Sequence, residues 1–161
     1  MNKKVIIDYL YLDLQTCDRC IGTDTVLEAV VAELTPALEL AGFAVTLRKT
    51  EIKTAHMAKE YRFLSSPTIR VNGHDICSTV SESSCACCGD ISGTDMDCRV
   101  FEYEGKNYDV PPGAMLAEAI LRGVFLPMHE SRDCYSLPAN LKIFFRGKER
   151  KQAACCCKSG C

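Results

Sequence analysis

Sulfur dominates the chemistry available to this chain. Twelve of its 161 residues are cysteine, and they fall in groups. Cys17 and Cys20 form a Cys-x-x-Cys pair; Cys77, Cys85, Cys87, Cys88 and Cys98 follow; Cys134 stands apart; and Cys155, Cys156, Cys157 and Cys161 crowd the last seven positions. A Cys-x-x-Cys pair can close a small disulfide, one thiolate attacking and the other resolving the mixed disulfide. It can equally be half of a metal site. In Cys17-Asp18-Arg19-Cys20 the arginine favours a thiolate and the aspartate opposes it.

Cys85 and Cys88 repeat the spacing, with Cys98 ten residues beyond. Cys87, Cys77 and His74 are further ligand candidates. Tetrahedral thiolate sites for zinc use this spacing, while a second redox pair or a structural staple fits the same residues. Asp90, Asp95 and Asp97 would supply outer polarity there. Cys155, Cys156 and Cys157 are poorly placed to bridge one another, because disulfide geometry disfavours close backbone neighbours. Six Lys/Arg against one Glu between 142 and 161 make that end locally basic, which lowers thiol pKa values. Such a polythiol can capture Hg(II), As(III), Cu(I) or Zn(II), or reach Cys17 and Cys20 and reduce them. His129 lies five residues before Cys134, a weak metal pair.

The rest of the composition is that of an ordinary globular chain, 47% hydrophobic and 25% charged. A net charge of −2 gives no case for nucleic acid. No apolar run is long enough to span a membrane, and the N-terminal apolar stretch is cut by Asp8 and Asp13, unlike a signal peptide. Clustered thiols without an export signal predict a reducing, cytoplasmic setting.

The apolar run 4–12 predicts a strand buried on both faces. Thr25 and Glu28 form a capping-box pattern, so the first helix is expected to begin near residue 26, five residues beyond Cys20 and too far for its macrodipole to act on Cys17. Pro36 should kink or restart that helix. A strand over 43–49, a helix over 54–62 and a strand over 66–71 closed by Asn72-Gly73 follow. Residues 77–98 read as a loop, 99–104 and 107–110 as a hairpin, and 112–122 as a helix. Residues 137–145 read as a short amphipathic helix and 146–161 as a tail. The order β-α-β-α-β-β-α predicts an α/β fold, a mixed sheet with helices packed on it, with a Cys-rich loop insertion and a Cys-rich C-terminal tail. The expected division is a domain over 1–125 and an extension over 126–161.

With Cys17-x-x-Cys20 after the first strand and Ser66-Pro67-Thr68 opening the third, this order resembles the thioredoxin superfamily. More narrowly, Cys17-Asp18-Arg19-Cys20, Asn72-Gly73, and Cys87-Cys88-Gly89-Asp90 with Cys98-Arg99 are similar to a Cys-rich thioredoxin-like family of unassigned function. The resemblance covers roughly residues 5–125. It implies that Pro67 is a cis-proline facing the Cys17/Cys20 pair at an exposed edge of the sheet. It further implies that Cys17 attacks and Cys20 resolves, with no cofactor required. Thr16 stands where thioredoxins carry an aromatic residue. Beside a binding module without turnover, two functions remain open. One is a thiol–disulfide oxidoreductase acting on a thiol or disulfide substrate, protein or small molecule, with a thiol relay from the tail. The other is a soft-metal (Zn, Hg, As or Cu) binding or detoxification protein whose ligands come from Cys85, Cys87, Cys88, Cys98, Cys155, Cys156, Cys157 and Cys161.

Overall fold

The computed structural model describes residues 2–77, 79–126 and 133–158, without the side chains of 157 and 158. Its chain is α/β: two sheets flanked by helices. In the first sheet the order is β2-β1-β3-β4. Here β1 (Lys3–Tyr11) runs parallel to β2 (Phe43–Glu51) and antiparallel to β3 (Thr68–Val71), which pairs with β4 (His74–Asp75). The second sheet is antiparallel, β5 (Ser81–Ser84), β6 (Asp97–Tyr103) and β7 (Lys106–Tyr108).

β1 departs from the expectation of a strand buried on both faces. Val5, Ile7 and Tyr9 are buried while Ile6 and Asp8 are half-exposed, and Asp8 pairs with Arg48 on β2. The buried residues meet Leu27 and Val31 of α1 (Asp18–Leu40) and Leu116 and Ile120 of α4 (Gly113–Phe125). Beyond Tyr9 the strand enters a different core. Leu10 and Leu12 join Ile52, Phe63 and Met96, five cysteines, and Leu141, Phe144 and Phe145 of α5 (Ala139–Lys158).

Helix α1 starts eight residues earlier than the capping-box pattern predicts. The Asp13 carboxylate decides this. Its Oδ2 accepts from the backbone N–H groups of Gln15 (3.1 Å), Thr16 (2.6 Å) and Cys17 (3.0 Å) and from the Thr16 hydroxyl (2.9 Å). The loop is thereby tied off and the chain enters the helix with Cys17 as N-cap. The Thr25 hydroxyl donates instead to the Ile21 carbonyl one turn back, so it belongs to the helix interior. The helix runs on through Pro36 without restarting.

Within the segment expected to be a loop, residues 81–98 are more ordered than their composition implies. β5 is a polar strand held by β6, and α3 (Ala86–Ser92) is closed by Gly93 in the left-handed region (φ 69°). Residues 146–158 are likewise helical, as the continuation of α5, which packs on α3 and on α2 (Ala55–Glu60). Gly147 makes that packing feasible. A Cβ there would lie 2.3 Å from the Ser92 carbonyl oxygen.

Candidate metal centre

Each cysteine of the site is delivered by a different local device. Cys17 caps α1 with its N–H held by Asp13, and Cys20 sits one turn into the helix. Cys85 caps α3, its N–H donating to the Met96 carbonyl at 2.8 Å, and Cys88 lies one turn further. Cys98 is on β6. One tether joins α1 to this second segment, and another joins the segment to the first sheet and the loop before β3. The Arg19 guanidinium donates to the carbonyls of Ser83 (3.3 Å), Ser84 (2.7 Å) and Cys98 (3.2 Å) and to the Ser83 hydroxyl (2.9 Å), and it pairs with Asp109 at 3.2 Å. The Arg99 N–H donates to the Ser66 carbonyl at 2.8 Å, and its fully buried guanidinium grips Asp75 at 2.8 and 3.0 Å.

The result is a sulfur cluster in the core. The sulfurs of Cys17, Cys85 and Cys88 lie within 4.8 Å of one another, with Cys17 and Cys88 3.8 Å apart. Cys98 interacts electrostatically with all three, and Cys20 with Cys17. Cys17, Cys20, Cys88 and Cys98 are fully buried and Cys85 is 5% exposed. All five are thiols with no disulfide among them. The distances suit an ion. Four thiolates around zinc at a Zn–S distance of ~2.3 Å place neighbouring sulfurs ~3.8 Å apart, whereas a disulfide needs ~2.05 Å. The geometry of Cys17, Cys85 and Cys88 is therefore that of a metal-binding sulfur triangle.

Charge in the cluster concentrates on Cys17. Thiol hydrogen bonds from Cys20, Cys85, Cys88 and Cys98 hold it far below the usual thiol range, against the opposing effect of burial. Its place at the N-terminus of a 23-residue helix acts in the same direction. The expectation that it lies beyond the reach of this dipole is thus corrected. Cys88 is pushed up, first by its bond to Cys17 and then by those to Cys85 and Cys98. Cys98 and Cys20 are pushed up chiefly by Cys17 as well. Cys85 is raised by Cys17 and lowered by Cys88 and Cys98, and ends at about 7.

Several sequence expectations change. The pair at 17 and 20 and the group at 85, 88 and 98 are one site rather than two. Neither Cys17 nor Cys20 is at an exposed edge, because both are covered by core side chains. Pro67 does follow a cis Ser66–Pro67 bond, and Ser66 touches the pair through its hydroxyl, 3.3 Å from the Cys20 sulfur. Cys87 is half-buried outside the triangle, 3.9 Å from an Asp18 carboxylate oxygen. Cys77 and His74 are also outside it, Cys77 with its N–H on the Asp75 carboxylate. Cys155 and Cys156 are exposed on the last turns of α5, and Cys134 is exposed. The Cys157 side chain, Cys161 and His129 lie outside the described residues. Sequence reading missed Asp13, Ser66 and the tethering role of Arg19. The Asp13-x-x-x-Cys17 spacing was the one available signal for the first.

The family model described as Domain of unknown function (DUF2703) matches residues 5–120. The chain belongs to this family. The DUF2703 match contains all five cluster cysteines together with Asp13, Arg19, Ser66 and Arg99, and it ends within α4. No curated protein and no solved structure matches the chain. Among the described residues of this DUF2703 protein, no helix is long and apolar enough to cross a membrane.

Proposed function

We propose that this DUF2703 protein binds a soft metal cation through Cys17, Cys85 and Cys88, with Cys98 as the fourth sulfur. The observation that carries this reading is the mutual approach of three buried sulfurs within 4.8 Å, at separations fitting metal–thiolate bonds and too long for a disulfide. An all-sulfur donor set selects Zn(II), Cu(I), Hg(II) or As(III) over hard cations. The scaffold in this reading is thioredoxin-like, supported by the strand order β2-β1-β3-β4 and the cis Ser66–Pro67 beside Cys20. The test is metal content and thiol count on anaerobically purified protein. One tightly held ion per chain, lost on replacing Cys17, Cys85 or Cys88, is expected. Protein that neither retains nor takes up a thiol-dependent ion would refute the proposal.

A second reading, thiol–disulfide exchange by Cys17 with Cys20 resolving, draws on the Cys-x-x-Cys spacing at the start of α1 and the depressed Cys17 pKa. Mass spectrometry of oxidised protein checks it. A Cys17–Cys20 bridge supports exchange, and a reductase activity that survives Cys17→Ser removes it.

A further inference from the structure

Four of the five cluster cysteines have no contact with solvent, and Cys85 is the one that retains any. Cys85 retains 5% exposure and lines a surface hollow with Asp90, Asp95, Met96 and Lys151. The hollow is built from the α3 segment on one side and α5 on the other. Lys151 closes the two sides together by donating to the Asp90 carbonyl. Cys155 follows Lys151 by four residues in the same helix, so it lies on the same face, ~6 Å further along the axis. Cys156 is its neighbour, and both are exposed. The Cys155 thiol therefore stands one helical turn from the Lys151 side of the hollow that Cys85 lines, with the Cys156 thiol beside it about 100° round the helix. The thioether of Met96 and the carboxylates of Asp90 and Asp95 are on the way.

We propose that Cys155 and Cys156 form an acquisition site that takes a soft cation from an external chelate or thiolate and passes it through this hollow to Cys85, and so to Cys17 and Cys88. This rests on the metal-binding reading of the cluster. The transfer is ligand exchange without electron flow. The metal–sulfur bonds to Cys155 and Cys156 break as bonds to Cys85 and Cys88 form. The protons leaving the Cys85 and Cys88 thiols pass to the two released thiolates. Cys17, 3.8 Å from Cys88, completes the triangle.

The full chain, reduced and anaerobic, is offered one equivalent of Cd(II) held by a competing chelator, and the thiolate-to-metal charge-transfer absorption is followed in time. A variant with Cys155→Ser and Cys156→Ser, and a second with Cys157→Ser and Cys161→Ser added so that no other terminal thiol stands in, are compared with the parent chain. Tethered thiols act at millimolar effective concentration, so loading of the variants should slow by about tenfold or more while the final absorbance is the same. A four-fold serine variant that loads at the parent rate overturns the hand-off and leaves the buried site standing. A variant that instead loses absorbance in proportion, at unchanged rate, overturns it too, because the ion then resides at the helix end. A parent chain without any Cys85-dependent signal fails the metal-binding reading itself, and the hand-off falls with it.

Discussion

Replacing Arg19 by lysine separates two roles that the residue could have beside a thiolate. Sequence spacing alone makes it a positive charge next to Cys17. The structure makes it a tether, because its guanidinium reaches three carbonyls and one hydroxyl on the segment that carries Cys85 and Cys98, at 2.7–3.3 Å. A lysine keeps the charge and loses the fork, since one ammonium cannot span acceptors spread over two strands. Each hydrogen bond from a charged donor contributes about 1.5–3 kcal/mol, so Arg19→Lys, losing one or two, should lower unfolding free energy by about that amount. Arg19→Ala, losing all of them, should cost about 3 kcal/mol or more. Loss of the outer hydrogen-bond partners of metal ligands typically weakens affinity by about 10–100-fold, and the same range is expected for Arg19→Lys. Urea unfolding of the metal-free protein and competition titration with a chromophoric chelator measure the two effects. If Arg19→Lys matches the parent chain in both, charge alone is what matters and the tether argument is wrong.

Other outcomes follow from the same geometry. Structural zinc binds with about 10–16 kcal/mol over four ligands, so Cys88→Ala should weaken metal binding by about 10²–10³-fold, whereas Cys20→Ser, outside the triangle, should leave it close to the parent value. Chelator competition decides it, and equal losses in the two variants would argue against the triangle. Metal affinity should weaken as the pH is lowered. Cys17 is already a thiolate, Cys88 keeps its proton into the alkaline range, and Cys85 titrates at about 7. Cys98 also keeps its proton into the alkaline range, so binding through the four sulfurs displaces about two protons above pH 7 and about three below it, and a plot of log affinity against pH should steepen on the acid side of 7. A slope that is constant from pH 6 to about 8 would show that Cys85 is not a ligand. Gly147→Ala forces a Cβ against the Ser92 carbonyl and must push α5 outward, at about 1–3 kcal/mol. The displaced Leu141, Phe144 and Phe145 should then let a thiol reagent reach the cluster faster, and unaltered stability and labelling would refute that contact.

Much of the α/β order is readable from periodicity, because β1, β2, β3, α2 and α4 carry apolar residues at strand or helix spacing. What periodicity misses is whatever polar side chains arrange. The Thr25–Glu28 pattern looks like a helix start, but the start is set by Asp13, which satisfies the N–H groups of the preceding loop and leaves Thr25 inside the helix. β5 is four polar residues whose pairing with β6 no hydrophobic pattern announces. The end of α5 is polar on every side and reads as a tail; the fit of Gly147 on Ser92 and the Lys151 bond to Asp90 hold it against α3, and both depend on long-range contact. Both cysteine motifs are legible as motifs. Their union is not, because it depends on Arg19 reaching β5 and β6 and on the Arg99 N–H meeting Ser66.

Burial is the physical fact that favours an ion over an external disulfide in this sulfur cluster. An attacking thiolate must meet a substrate sulfur end-on, which requires an exposed face. Cys17 instead shares a core with Leu10, Phe63, Leu141 and Phe144 and has no solvent contact. Removing its charge from water is costly, and the groups that hold the charge there, four neighbouring thiols and the α1 N-terminus, include no formal positive charge. A cation at the centre of the triangle supplies the missing charge, and it converts the thiols of Cys85 and Cys88 from weak donors into ligands. Exchange chemistry at Cys17 would first require the apolar face of α5 to leave. An oxidoreductase should therefore gain rate when α5 is loosened, whereas a metal-binding protein should lose affinity. Gly147→Ala, assayed both ways, sets the two against each other in a single protein.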